Sequence, residues 1–331
     1  MRTKTLTMPW INAQGKVDSK IIGWTALAAA ILAASTSTTF AKILTTSLSP
    51  LTLLLLSESI VLFFTVLSFG FVPLFEEIVK IKSKYVLPLL VVGLCNSVIA
   101  PMLVFSGLHL SKAVNAELFL RSYCFFLFIY ATIFLKERTN RTDILALLCM
   151  LFGIMIVALR GFSGPLVIAR GDILILTGAF IYALGGAVFK KHLTKLHPEV
   201  VLFSRGVMAV AFFCVVAPII QHPFLEEIKV FPIALVGALV GYGFLSRFIY
   251  LFGFYESMER LSAHTVSLFL PLVTVGALFF SHMYLKESVY WYHITGGLFI
   301  ILGSIIIQYS STHYKGKHLD RHMRHSNRHH I

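Results

Sequence analysis

Charge is what this chain has least of. Asp, Glu, Lys and Arg make up 13% of its 331 residues, where a soluble domain carries about 25%. That is too few to clothe the roughly two water-facing domains its length would otherwise suggest. Cysteine is also sparse. Cys95, Cys124, Cys149 and Cys214 fall singly inside apolar stretches, which excludes a disulfide framework and paired metal spacing and makes them small packing residues. No HExxH, P-loop, GxSxG or CxxC pattern occurs, so the common hydrolase, nucleotidase and dithiol frameworks are absent. An enzyme is not expected; an intramembrane activity using Glu117 or His264 is the one catalytic alternative.

What the chain has in abundance is hydrophobic length. Apolar residues make up 57% and the mean hydropathy is +0.83. Runs of about 20 apolar residues, each long enough to cross a bilayer as a helix, cover 21–44, 51–70, 86–108, 113–135, 142–160, 171–189, 199–219, 231–254, 263–285 and 289–309. No alternating barrel pattern is seen, so the expected fold is an all-α polytopic membrane protein with ten transmembrane helices. The basic leader before the first run resembles a signal peptide. The run is longer than a usual signal core, however, and Thr39-Phe40-Ala41 is a poor cleavage site, so it reads as a retained span.

On a soluble protein a net charge of +13 would suggest nucleic acid. Here the basic residues sit between the runs. With the N-terminus inside, 19 Lys/Arg fall in inside segments and 6 outside, which places both termini in the cytoplasm. No nucleic-acid partner is expected. The expected partners are the lipid bilayer and a small-molecule substrate, with a homodimer left open.

The sequence also repeats. YATIFLKERTNRTDILALLCMLFGIMIVAL recurs 150 residues later as FSHMYLKESVYWYHITGGLFIILGSIIIQY. Both segments carry a glycine sixteen residues after the LKE glutamate, Glu137 to Gly153 and Glu287 to Gly303. LSPLTLLL and LHPEVVLF form a weaker pair. Each half thus holds five spans, and an odd number inverts the second half, giving two inverted five-helix repeats, an architecture of secondary carriers. The expected division is a leader at 1–20, repeats at 21–160 and 161–309, and a tail at 310–331.

These features resemble the drug/metabolite transporter superfamily, specifically its EamA-type members, over about residues 21–309. The resemblance rests on the ten spans in two halves and on an LxE turn between the fourth and fifth helix of each half. It implies a central cavity lined by the first four helices of each half, spans five and ten to one side, and movement of small metabolites without ATP. It also implies amino acids and related metabolites, S-adenosylmethionine among them, as the range of substrates. A proline usual in the fourth helix is present as Pro271, but Arg121 stands at the aligned place in the first half. The family's arginine in the second helix is matched by Arg205, and its first-half counterpart is Ser57, next to Glu58.

Five charges, Glu58, Glu117, Arg121, Arg205 and Arg247, lie well inside spans. Each costs about 2.5–3.5 kcal/mol at a helix centre, so they face a cavity or one another. Glu117 and Arg121 in VNAELFLRSY share one helix face. They form either a packing salt bridge or a cavity pair that opens to hold a zwitterion, with the guanidinium as a carboxylate clamp. Arg247 and Tyr250 make a substrate floor, or Arg247 is a strut to Glu58 or Glu256. Glu58 is the candidate for proton coupling, or a serine-bonded structural group. Asn96, on a span interrupted by Pro88 and Pro101, is a ligand or helix-to-helix contact. Tyr182 and Trp24 stack on an aromatic ligand or only pack. Arg205 reads as structural, snorkelling near the inner surface. Gly237, Gly241 and Gly243 should permit close helix approach. The His-rich tail reads as a basic segment on anionic lipid, with no ordered metal spacing. No cofactor and no metal are expected.

The resulting expectation is a secondary transporter of a small amphoteric metabolite in the bacterial inner membrane, with S-adenosylmethionine or S-adenosylhomocysteine as best guess. An amino-acid or drug exporter is the alternative, and a non-transporting sensor using the tail is a third reading.

Overall fold

The structure, a computed structural model, describes residues 19–134, 141–162, 169–193, 196–261, 269–270 and 272–306. Glu137, His264, Pro271 and the tail from residue 307 lie outside the described residues. Among those described, eight helices are long and apolar enough to cross a membrane and two shorter apolar ones complete ten. They are α1 (Ile21–Leu44), α2 (Pro50–Phe69), α4 (Ser83–Leu110), α5 (Ala113–Phe134), α6 (Arg141–Ala158), α7 (Arg170–His192), α8 (Pro198–Ile219), α10 (Ile233–Phe254), α11 (Leu272–Leu285) and α12 (Trp291–Ile306). Two short helices, α3 (Phe71–Val79) and α9 (Phe224–Val230), follow the second spanning helix of each half. Large apolar side chains such as Leu32, Phe63, Leu67, Leu145 and Val215 are exposed on the bundle exterior, as a lipid-facing surface requires.

The weaker sequence echo has a local cause. In LSP and LHP the proline opens a helix, α2 at Pro50 and α8 at Pro198, where its missing N–H costs nothing. Ser49 caps α2 by accepting from the Thr52 amide at 3.3 Å.

The halves interlock by exchange. α7, the first helix of the second half, packs against α4, the third of the first half, and α1 packs against α10 in the mirrored arrangement. α2 and α8, the two second helices, pack on each other. The repeat glycines lie where α6 meets α12. A Cβ on Gly153 would stand 2.6 Å from the Gly296 carbonyl, and one on Gly303 would stand 2.6 Å from that of Ala146, so both must be glycine for the backbones to meet.

The third spanning helix of each half departs from α geometry in the same place. α4 winds as a π-helix over Leu94–Ile99 and α10 over Tyr242–Ile249. In α4 the cause is Pro101, which has no N–H to give and whose ring crowds the carbonyl four residues back. α10 has no proline there, but Gly241 and Gly243 flank the start of its segment. Gly243 takes the closest approach, with a Cβ placed 2.5 Å from Ile60, whereas Gly237 has nothing within 4 Å among the described residues and makes no such contact.

Candidate functional site

The two π-segments face a cavity of about 480 Å³ at the centre of the bundle, within the range of small-molecule sites. Its wall draws on both halves, with Asn96, Glu117, Arg121 and Tyr123 from the first and Tyr182, Arg205, Tyr242, Arg247 and Tyr250 from the second. Six residues singled out in the sequence, Glu117, Arg121, Arg247, Tyr250, Asn96 and Tyr182, therefore converge. Trp24 does not. It is 43% exposed and stacks edge-on against Phe269 at 5.1 Å, so the structure places it on the outer surface rather than at the cavity.

The charges resolve into two closed pairs and one remainder. Arg121 donates through Nε, at 3.0 Å, and through Nη2 to Glu117, both bonds ending on Oε1. The Arg247 Nη2 donates to Glu58 Oε1 across the two halves. Of the two partners open to Arg247, Glu58 is the one it meets, while Glu256 is held by Arg260 at 2.6 Å. Glu58, the proton-coupling candidate, is thus a buried carboxylate with a guanidinium on it. Arg205 is on the cavity wall rather than snorkelling out. Its Nε donates to Ser97 Oγ at 2.9 Å and its Nη2 to the Asn96 carbonyl at 3.0 Å, a carbonyl belonging to the π-segment.

Sequence reasoning missed other polar wall residues, Tyr123, Tyr242, Thr38 and Thr274 among them. Tyr123 and Tyr242 are tyrosines among many, and nothing in their spacing marks them. Thr38 and Thr274 line the cavity with buried hydroxyls that have no hydrogen-bond partner among the described residues, and the same holds for Asn96 Oδ1. Buried polar atoms are rarely left so; three on one wall suit a polar occupant.

Polar contacts between the halves close one end of the bundle. The Ser49 amide donates to Glu227 at 3.0 Å and His222 Nε2 lies 2.9 Å from Ser49 Oγ. Ser111 Oγ donates to Asp172, and His293 Nε2 meets Asn115 Oδ1 at 2.9 Å. The LKE glutamate belongs to this set. Glu287 accepts from the Ala113 and Val114 amides at 2.9 and 3.0 Å. A carboxylate at a helix N-terminus takes up free amides and the helix dipole, which explains why an LxE turn is needed there. Glu287→Gln should lower stability by about 1–2 kcal/mol, since one acceptor and the charge are lost, and thermal unfolding of the purified protein would read this.

Comparison with known proteins agrees with the duplicated architecture. The profile of the EamA-like transporter family matches residues 21–159 and again 169–309. The chain belongs to the EamA-like transporter family. A protein named uncharacterized transporter from Methanothermobacter thermautotrophicus is 24% identical over 92% of this chain and 92% of its own length. The uncharacterized transporter YcxC of Bacillus subtilis is 24% identical over 72% of this chain and 76% of its own. A solved protein structure superposes with a TM-score of 0.59 at 18% identity, covering 87% of this chain and 95% of that one, which shows a shared fold. As an EamA-like protein the chain is a multi-pass membrane transporter, with its cavity lined by residues of both repeats.

Proposed function

We propose that this EamA-like protein is a secondary carrier for a small amphoteric metabolite bearing an amino-acid moiety, moved by alternating exposure of the central cavity. The observation that carries this is the wall itself: carboxylate, guanidinium and tyrosine groups from both halves around one volume. Glu117 receives the ammonium end, and the tyrosines offer faces to a ring. S-adenosylmethionine and S-adenosylhomocysteine combine both requirements and head the panel of solutes; amino acids and drugs moved outward are the alternative.

The carrier comprises the repeats 21–160 and 161–309 in the bacterial inner membrane, with both termini cytoplasmic. The polar contacts around Glu227 and Glu287 then close the outer face. A cysteine replacing Pro223 should react with an impermeant maleimide added to intact cells; labelling only after lysis rejects this topology.

The functional test is counterflow of radiolabelled S-adenosylmethionine, S-adenosylhomocysteine and the twenty amino acids into proteoliposomes. Saturable uptake of at least one supports the proposal, and uptake of none sinks it. The same assay on a chain ending at Ser311 separates a carrier, which keeps its activity, from a sensor that works through its tail.

A further inference from the structure

The two halves make the same contact twice, with one difference. Gly93 of α4 packs against Met208 of α8, and Gly243 of α10 packs against Ile60 of α2. These contacts align α4 with α10 at an offset of 150 and α2 with α8 at an offset of 148. On that register Arg205 matches Ser57 and Ser97 matches Arg247. By register each interface pairs an arginine position with a serine position, on exchanged helices, and Arg205 and Ser97 are hydrogen-bonded. The difference is the neighbouring position. Glu58 occupies it in α2 and closes on Arg247, whereas its counterpart in α8 is Gly206, which packs on Leu62 of α2 and carries no carboxylate. Arg205 is left with a serine hydroxyl and a backbone carbonyl, both neutral.

Charge counting gives the same result. Among the described residues of this site stand three guanidinium groups, on Arg121, Arg205 and Arg247, and two carboxylates, on Glu58 and Glu117. One positive charge in a low-dielectric wall lacks a counter-charge, and such a charge is costly unless a partner arrives. Beside it, Asn96 Oδ1 is buried and has no partner among the described residues.

We infer that Arg205 receives the acid group of the transported solute. This rests on the carrier reading and assigns its anion-binding residue. Arg121 and Arg247 are each occupied by a carboxylate of the protein, so Arg205 is the guanidinium open to a ligand. The carbonyl of Asn96 and the hydroxyl of Ser97 orient the guanidinium while leaving its charge uncompensated. The specificity that follows is for solutes with a free carboxylate or equivalent anion. Neutral amides and esters of the same solutes lose their place.

Two experiments on the full chain test this. In the first, purified protein is heated with each amino acid, S-adenosylmethionine and S-adenosylhomocysteine, and with the corresponding carboxamides. At least one acid should raise the melting temperature while its amide does not. Arg205→Gln should abolish the difference and Arg205→Lys should restore part of it. Equal stabilisation by acid and amide, or discrimination that survives in Arg205→Gln, overturns the inference. Stabilisation by no solute removes the amphoteric-metabolite reading instead, and the second experiment then decides on Arg205. The four native cysteines are replaced by alanine and Asn96 by cysteine. The anionic sulfonatoethyl methanethiosulfonate should modify that cysteine about tenfold faster than the cationic trimethylammonioethyl reagent, because an uncompensated positive wall concentrates anions. Arg205→Gln should bring the two rates together. A faster cationic reagent, an unchanged ratio in Arg205→Gln, or no reaction with either reagent overturns the assignment.

Discussion

Arg247→Leu should cost this protein about 3–5 kcal/mol of stability, because it strands the Glu58 carboxylate in the bundle. The Glu58 side chain is 3% exposed, so water cannot take over from the guanidinium. The pair joins α2 of one half to the π-segment of α10 in the other, so its loss also loosens the contact between repeats. The converse change, Glu58→Gln, leaves Arg247 with the Tyr242 hydroxyl and should cost about as much. The double variant Glu58→Gln/Arg247→Leu removes both charges and should recover most of the loss, since neither charge is then left buried without its partner. Thermal unfolding of the three purified variants in one detergent reads the cycle. Single variants as stable as wild type would mean that the pair is not buried in the working protein. A double variant no better than the singles would mean that each charge holds something besides the other.

Much of this architecture was legible in the sequence, and for definite reasons. A helix in lipid must satisfy its own backbone, so apolar length alone marks a span. The Glu117–Arg121 pair was legible because spacing i to i+4 on one helix fixes which side chains meet. Glu58 and Arg247 are 189 residues apart, and their meeting depends on how two helices are rotated against each other. The sequence could only offer Glu58 and Glu256 as alternatives. Helix-face arithmetic also fails across a π-segment, where the turn holds more residues and every later side chain is rotated. Arg205 read as a snorkelling residue because it lies seven residues past Pro198, near the start of α8; its partners, the Asn96 carbonyl and Ser97, are on the π-segment of α4, whose facing the sequence does not give. Trp24 was legible as a span aromatic, but a tryptophan facing lipid and one facing a cavity read alike when the face is unknown.

Glu117 and Arg121 differ from the Glu58–Arg247 pair in one respect that makes them the stronger functional test. The Glu117 side chain is 4% exposed, but that of Arg121 is 29% exposed, and both line the cavity. A pair that exists only to lock packing has no need of such access. Glu117→Gln and Arg121→Leu should each reduce transport, through two separable routes. One is structural, since either single change leaves a charge without its partner. The other is direct, since the ammonium of an amphoteric solute loses its carboxylate in Glu117→Gln. The double variant Glu117→Gln/Arg121→Leu separates them. With both charges gone the unfolding temperature should return close to that of wild type. Transport should stay down by at least about tenfold, equivalent to about 1.4 kcal/mol of lost solute binding. Counterflow in proteoliposomes and thermal unfolding of the same preparation supply the two readings. Wild-type transport in a stable double variant would reduce the pair to a packing device and move the ammonium site elsewhere on the wall.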